Sequence, residues 1–293
     1  MKYSGYFLLF LLLQSVSCKQ QPDTADAYGN FEAVEVMVSA ESSGRIFNFP
    51  AQEGAALKEN QVAVQIDTTQ LYLQKLRLES GKVSLSSKIK TLDAQLRASR
   101  VQLDNLLREQ ERIQKLLEGG AATSKQLDDI TGQVELLKAQ MEATESQKAS
   151  IHAEKNTLQV QIRQVEDQIT KCSIRNPIDG ILLTKYKEEG ELAAPVQPLY
   201  KIANMEKLIL RAYVSGSQLS SIQTGGQVKV RFDREQGLEE TTGVVSWISP
   251  RAEFTPKIIQ TREERVNLVY AIKIVVPNNG SLKIGMPGEV VFQ

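Results

Sequence analysis

The sequence predicts an elongated α+β protein. A long antiparallel α-helical coiled-coil hairpin is inserted in a split β domain and is followed by a small antiparallel β-barrel. Three observations lead to this fold class. Apolar residues recur in heptads between Leu71 and Cys172, two β segments with matching turns flank that stretch, and alternating strands follow from Leu208 onward.

The helical stretch contains no proline, and its apolar residues form the a and d rows of a coiled coil. In the first arm the rows are Leu78, Leu85, Leu92, Ser99, Leu106, Ile113 and Lys82, Ile89, Leu96, Leu103, Gln110, Leu117. In the second arm they are Ile130, Leu137, Thr144, Ile151, Leu158, Val165, Cys172 and Leu127, Val134, Met141, Lys148, Lys155, Ile162, Ile169. Gly119 and Gly120 separate the arms, which predicts an antiparallel hairpin.

Arms of this length project from the domain that carries them, because ~45 residues of helix span ~70 Å. The alternative is an ordinary helical bundle. It is disfavoured because a bundle helix carries a wider apolar face than two positions in seven. The seam is imperfect, because Ser99, Gln110, Lys148 and Lys155 fall on it. Polar seam residues lower the stability of a coiled coil but can fix its register.

Composition excludes several functional classes. The 293 residues carry 35 basic and 35 acidic side chains, so net charge gives no reason to expect nucleic acid as a partner. There is a single histidine, His152, and the two cysteines, Cys18 and Cys172, lie far apart, which argues against a metal cluster or a disulfide framework. No phosphate-binding glycine loop or nucleophile–base pair is evident. We expect a protein that is not an enzyme and holds no metal or cofactor.

The N-terminus predicts export. Met1-Lys2 and the apolar run Tyr6 to Leu13 are typical of a signal peptide, which we assign to residues 1–17. Cys18 follows Ser15-Val16-Ser17 in a stretch that resembles a bacterial lipobox, although Ser15 stands where leucine is usual. Cys18 is therefore the predicted lipidation site, and acyl chains would anchor the protein to a membrane. The alternative is cleavage by ordinary signal peptidase. Residues 18–33 are assigned to a tether.

An internal repeat flanks the hairpin. Each half has a glycine turn, then a Glu-Gly turn, then an apolar strand. In the first half these are Gly44, Glu53-Gly54 and the strand ending at Ile66. In the second half they are Gly180, Glu189-Gly190 and the strand ending at Ile202, at matching spacings. Asp67, Thr68 or Thr69 can cap the first helix, which is expected to begin near Gln70. After Leu208, five or six alternating strands predict the barrel.

The split repeat resembles the two halves of a lipoyl/biotinyl domain with a coiled coil inserted at its hairpin tip. That layout is similar to the periplasmic adaptor, or membrane fusion, proteins of the haemolysin-secretion-D type. Asn176-Pro177-Ile178-Asp179-Gly180-Ile181, with Gly190-Glu191 and Pro198 to Ile202, carries the match. Leu282 to Gly288 resembles the family's barrel ending. Glu59-Asn60-Gln61 departs from the family, which often has glycine before Gln, so a different turn geometry is possible there.

The resemblance implies five segments. They are a signal peptide (1–17), a lipidated tether (18–33), a split lipoyl-like domain (34–68 and 173–206), the hairpin (69–172) and a β-barrel domain (207–293). The segment Phe254 to Lys257 with Gln260 to Arg265 looks like the subset that works with ABC-type exporters. A charged Arg-Glu-Glu-Arg run is also common in solvated loops.

The hairpin tip resembles the family's tip that engages a TolC-like outer-membrane channel. The family uses an Arg, a Leu four residues later and a Ser eleven residues later. Arg112 and Leu116 fit, and the third position is Thr123 with Ser124 beside it. These four residues are the predicted channel-binding site. A guanidinium offers several donors to a partner's oxygens, leucine can insert as a knob, and the hydroxyl can cap the returning helix. Arg112 can also be merely solvated and Thr123 or Ser124 merely a cap.

The resemblance implies a non-catalytic periplasmic lipoprotein, with the inner membrane favoured for its anchor. Its implied partners are an inner-membrane exporter, ABC-type favoured, a TolC-like outer-membrane channel, and further copies of itself in a ring of six. Two other interpretations stay open. One is a carrier subunit for biotin or lipoate, which needs a modifiable lysine at a tight turn, and the other is a coiled-coil scaffold with no role in transport.

Overall fold

We describe the protein from a computed structural model, which describes residues 25–234, 237–254 and 268–292. The described residues divide into two compact units. One contains residues up to Val36, Ile178–Leu183 and the chain from Ile202 onward, and the other contains Met37–Pro177 and Thr184–Lys201. Among the described residues, no helix is long and apolar enough to cross a membrane.

Two helices form the predicted antiparallel hairpin. Helix α1 (Thr69–Glu118) has 50 residues and α2 (Ser124–Lys171) has 48, which at the α-helical rise gives lengths of about 75 Å and about 72 Å. The residues buried between them all lie on the predicted a and d rows: Leu85, Ile89, Leu92, Leu96, Ile130, Val134, Leu137, Ile162 and Val165. The predicted a and d rows therefore identified the contact face of both helices.

Polar side chains link the two helices at a single register. Lys75 Nζ lies 2.8 Å from Glu166 Oε1, Asp93 Oδ1 lies 2.6 Å from Lys148 Nζ, and Gln110 Nε2 donates to Thr131 Oγ1 at 2.8 Å. Lys82 also donates to Gln159 across the hairpin. From one of these pairs to the next, each step along α1 matches an equal step back along α2. Three polar residues of the predicted rows, Lys82, Gln110 and Lys148, thus take part in fixing the register.

The start of α1 distinguishes among its three candidate caps. Asp67 Oδ1 accepts hydrogen bonds from the Thr69 backbone N–H at 2.8 Å and from Thr69 Oγ1 at 2.6 Å, whereas Thr68 makes no side-chain cap bond. These hydrogen bonds from Thr69 hold the pKa of Asp67 below its usual value. Asp67 therefore satisfies a free N–H at the helix start.

The split β module contains eight strands around the hairpin base. They are β2 (Glu35–Ser39), β3 (Gly44–Asn48), β4 (Ala56–Leu57), β5 (Val62–Ile66), β6 (Ser173–Arg175), β7 (Gly180–Lys185), β8 (Leu192–Ala193) and β9 (Pro198–Ala203). The sheet orders are β2-β9-β7-β4 and β6-β5-β3-β8. Each half of the repeat thus contributes its short strand to the sheet that holds the long strands of the other half.

The repeat extends to its turns. Asn60 and Val196 occupy equivalent places and both adopt left-handed backbone, with φ of 62° and 70°. The next residue is glutamine in both halves. Gln61 Oε1 accepts from Lys58 N–H at 2.9 Å, and Gln197 Oε1 accepts from Ala194 N–H at 3.1 Å. Glu59-Asn60-Gln61 therefore forms the same turn as its counterpart, because Asn tolerates the left-handed conformation that glycine often provides.

Asn176, from the family motif, joins the two halves in the core. Its main chain exchanges hydrogen bonds with Asn60 and Gln61, both at 2.8 Å. Its side-chain Oδ1 accepts from the Tyr200 hydroxyl at 3.1 Å, and the Tyr200 ring lies 5.7 Å from that of Phe49. Burial raises the pKa of Tyr200 to about 12. The motif asparagine thus satisfies polar groups that would otherwise be buried without partners.

Six strands close the predicted barrel, and a short seventh strand extends it. They are β1 (Ala27–Glu32), β10 (Lys207–Ser215), β11 (Gln227–Arg234), β12 (Gly237–Ile248), β13 (Glu253–Phe254), β14 (Leu268–Pro277) and β15 (Pro287–Val291). The order is β10-β1-β15-β11-β12-β14, with β14 pairing back to β10 and β13 pairing with β14. A 3-10 turn at Leu219–Ser221 follows β10.

The predicted tether is wrong for Ala27–Glu32. This segment is the barrel strand β1, which pairs with β10 through Tyr28 and Tyr213 and with β15 through Gly29 and Gly288. Ala27 and Phe31 are buried in the barrel core. The sequence concealed the strand because Gly29 takes the inward position between them, where a Cβ would lie 1.9 Å from the Arg211 carbonyl oxygen.

Replacing Val196 with glycine should stabilise the protein. A β-branched residue in left-handed backbone costs roughly 1–2 kcal/mol, and Val196 is 84% exposed, so little burial is lost. We expect V196G to raise the free energy of unfolding, measured by denaturant titration, by about 1 kcal/mol. N60G is the matched control and should change stability less, because Asn already tolerates this conformation. A destabilised V196G protein would contradict the assignment of strain.

The buried Tyr200 predicts a loss of stability at high pH. The pKa of Tyr200 in the folded protein, about 12, exceeds the ordinary value of 10.0. The contribution of the neutral, buried Tyr200 to the free energy of unfolding is therefore complete below pH 10 and declines as pH rises through 12. Between pH 8 and pH 11 the wild-type protein should lose about 1.4 kcal/mol more unfolding free energy than Y200F. Denaturant titrations at both pH values measure the difference. Y186F, which alters a half-exposed tyrosine, should behave as the wild type, and equal losses in all three proteins would argue against burial as the cause.

Candidate functional site at the hairpin tip

Five residues, Gly119 to Thr123, connect the two helices at the tip. Helix α1 ends in a Schellman motif, in which Ala121 N–H donates to the Leu116 carbonyl at 2.8 Å and Gly120 N–H donates to the Leu117 carbonyl at 3.0 Å. Gly120 adopts φ of 73°, which favours glycine. The backbone of the turn is therefore defined by local hydrogen bonds.

Helix α2 begins with a capping box. Thr123 Oγ1 accepts from Gln126 N–H at 3.3 Å, and Gln126 Oε1 accepts from Thr123 N–H at 2.8 Å. The Thr123 hydroxyl also donates to Gln126 Oε1 at 3.1 Å. Both hydrogen-bonding functions of this hydroxyl are thus used within the protein, and the predicted capping role of Thr123 is the one the structure displays.

Ser124 differs from Thr123 although the two are adjacent. It is the first residue of α2 and is exposed. Within the described part of the chain, its hydroxyl forms no hydrogen bond. Of the two candidate hydroxyls, Ser124 is therefore the one that remains free to bind a partner.

Arg112 and Leu116 lie one turn apart on the same face of α1, near its end. The Arg112 side chain is 68% exposed, and its Nη2 lies 2.5 Å from Glu109 Oε1. The hydrogen bond to Glu109 raises the pKa of Arg112, so the guanidinium stays charged. An exposed ion pair of this kind contributes little to stability because solvent screens it, and a partner carboxylate could replace Glu109 at small cost. Leu116 is 42% exposed, and its side chain is available for an apolar contact.

Two further polar contacts near the tip lie within α1. Lys115 Nζ lies 2.8 Å from Glu111 Oε1, and Gln114 Nε2 donates to Glu118 Oε1 at 3.0 Å. The turn thus brings the four predicted residues to one exposed end of the hairpin. The sequence alone could not separate the roles of Thr123 and Ser124, because either residue type can cap a helix.

Relatives of similar sequence cover almost the whole chain. A "UPF0194 membrane protein" of Yersinia pseudotuberculosis serotype O:3 is 26% identical over 306 residues, which cover 94% of this chain and 91% of the relative. The "UPF0194 membrane protein in asrC 5'region" of Acidithiobacillus ferridurans is 24% identical over 292 residues. The matched region covers 91% of this chain and 86% of that relative. No protein-family model matches the chain.

Solved structures share the fold over a similar length. The periplasmic adaptor protein EmrA superimposes with a TM-score of 0.54 at 17% identity, covering 92% of this chain and 98% of EmrA. This chain has the fold of a periplasmic adaptor protein. MacA from Actinobacillus actinomycetemcomitans gives a TM-score of 0.59 at 20% identity, with 90% of this chain and 76% of MacA covered.

The adaptor fold confirms the predicted fold class and the resemblance on which it partly rested. Two predicted features lie outside the described residues. They are Cys18 with the signal peptide at 1–17, and most of the segment from Phe254 to Arg265 that suggested ABC-type exporters. Lipidation and exporter class therefore stay predictions.

The two tip hydroxyls should differ in their effect on the start of α2. T123A removes the capping box and should cost about 1 kcal/mol locally, whereas S124A leaves every described hydrogen bond in place. Amide hydrogen exchange over residues 125–127 should accelerate about fivefold in T123A and remain unchanged in S124A. Equal acceleration in the two variants would contradict the separate roles.

Proposed function

We propose that this protein is a non-catalytic adaptor that bridges an inner-membrane exporter, with the ABC type favoured, to a TolC-like outer-membrane channel. The observation that carries the proposal is the long two-helix hairpin whose exposed tip presents Arg112, Leu116 and Ser124 on a fixed backbone. The described similarity to EmrA, a periplasmic adaptor, supports this role.

The tip is suited to bind the coiled-coil ends of a channel. Arg112 supplies donors for carbonyl or carboxylate oxygens, Leu116 supplies an apolar knob, and Ser124 supplies a free hydroxyl at the start of a helix. Thr123 holds the turn in shape rather than binding the partner. Since the hydrogen bonds of the turn are already formed, binding would order few additional groups, which favours affinity.

The hairpin also bears on the two alternatives. A biotin or lipoyl carrier needs a tight turn for its modified lysine, whereas in this chain the two halves of the repeat are connected through α1 and α2. A scaffold role would leave the exposed tip residues without a purpose. We therefore favour the adaptor, anchored through an acylated Cys18 in the inner membrane and assembled as a ring of six copies whose hairpins lie side by side.

Reversing the charge of Arg112 should abolish binding of the channel. A photo-activated cross-linker at Gln114, introduced into cells that express the protein, should yield a covalent product with an outer-membrane protein. In R112D that product should fall by about tenfold or more, since a charge-assisted hydrogen bond becomes a repulsion.

R108D is the matched control. It makes the same charge reversal one turn further from the tip, where Arg108 hydrogen-bonds to Asn105 within α1. This variant should retain the cross-linked product, and both variants should accumulate to wild-type levels. A normal yield of product in R112D would refute the role of the tip.

A further inference from the structure

The barrel contains an open cavity of about 580 Å³, which falls within the ~300–1,000 Å³ of small-molecule sites. All six closed strands contribute residues to its wall. Tyr28, Tyr213 and Glu289 alternate along their strands with residues of the barrel core, so the cavity lies on the outer face of the barrel. Its lining includes Asp233 of β11 and the cross-strand partner of Asp233 in β12, Leu238.

Aromatic rings and bare backbone shape this cavity. Tyr28 and Tyr213 are direct cross-strand partners, and Phe232 projects from β11 with its ring edge-on to Phe31 at 6.3 Å. Between them, the paired Gly29 and Gly288 line the cavity without side chains. A Cβ on Gly288 would lie 2.8 Å from Leu210 Cδ1. The packing of the core therefore requires glycine at position 288.

The charges around the cavity do not balance. Arg231 lines it, but its side chain is only 10% exposed and its Nε donates to Glu240 Oε1 at 2.6 Å, so its charge is compensated. Asp233 and Glu289 also line the cavity. Among the described residues, neither forms an ion pair. The cavity therefore combines aromatic side chains with two carboxylates that form no ion pair among the described residues, and Arg231 is the direct cross-strand neighbour of one of them, Glu289.

We propose that this cavity on the outer face of the barrel binds a lipophilic organic cation, a molecule with aromatic or aliphatic bulk and one delocalised positive charge. Aromatic faces attract such cations, and a carboxylate at the edge of an apolar site attracts them further. Leu238, Val269 and Pro287 provide the apolar contact area. The inference goes beyond the bridging role and does not depend on it, because binding concerns the barrel of one chain.

Two probes of the same shape and opposite charge test the proposal. Tetraphenylphosphonium and tetraphenylborate are titrated by equilibrium dialysis against the full chain in non-ionic detergent, with detergent alone subtracted. The cation should bind one site per chain at least about tenfold more tightly than the anion. Equal affinities, tighter binding of the anion, or no saturable binding of the cation would overturn the proposal.

Variants locate the site. D233N/E289Q should weaken tetraphenylphosphonium binding by about tenfold, while D104N/D128N, which removes the same charge from exposed positions of the hairpin, should not alter it. Y28L changes a ring that is 58% exposed and should weaken binding by roughly three- to tenfold. Thermal unfolding confirms that each variant is folded. Unchanged binding in folded D233N/E289Q and Y28L would exclude this cavity as the site.

Discussion

The pairing of β5 with β6 at the base of the hairpin is the constraint on which the rest of the structure depends. Val62 lies opposite Arg175 and Val64 opposite Ile174, and Ile66 N–H donates to the Cys172 carbonyl at 2.8 Å. Because the chain leaves this pair as α1 and returns to it as α2, the two helices begin side by side. Every later contact along the hairpin inherits its register from this base.

The apolar seam and the polar links along the hairpin have different roles. The buried leucines, isoleucines and valines supply most of the contact energy, but they are similar enough to tolerate a shift by a whole heptad. The cross-hairpin pairs Lys75–Glu166, Asp93–Lys148 and Gln110–Thr131 are satisfied at one alignment only. Polar residues on a coiled-coil seam commonly act in this way, exchanging some stability for a unique alignment.

Much of the fold could be predicted because its signals are repetitive. The heptad rows identified the buried face of both helices, and the spacing from Gly44 to Ile66 recurs from Gly180 to Ile202. Strand β1 was missed because Gly29 interrupts its inward face and polar residues surround it. At the tip, the sequence identified the exposed residues. The separate roles of Thr123 and Ser124 depend on which hydroxyl faces Gln126, and the three-dimensional geometry of the turn determines that. The cavity could not be predicted from the sequence because strands that are distant in sequence form it.

The single alignment of the two helices limits how the length of the hairpin can change in evolution. An insertion or deletion in one arm alone would displace every polar pair between that point and the tip. A matched change of seven residues in each arm would preserve the pairs that remain and move the tip by about 10 Å. Homologues that span gaps of different width are therefore expected to differ by paired heptads, with the base and the turn unaltered.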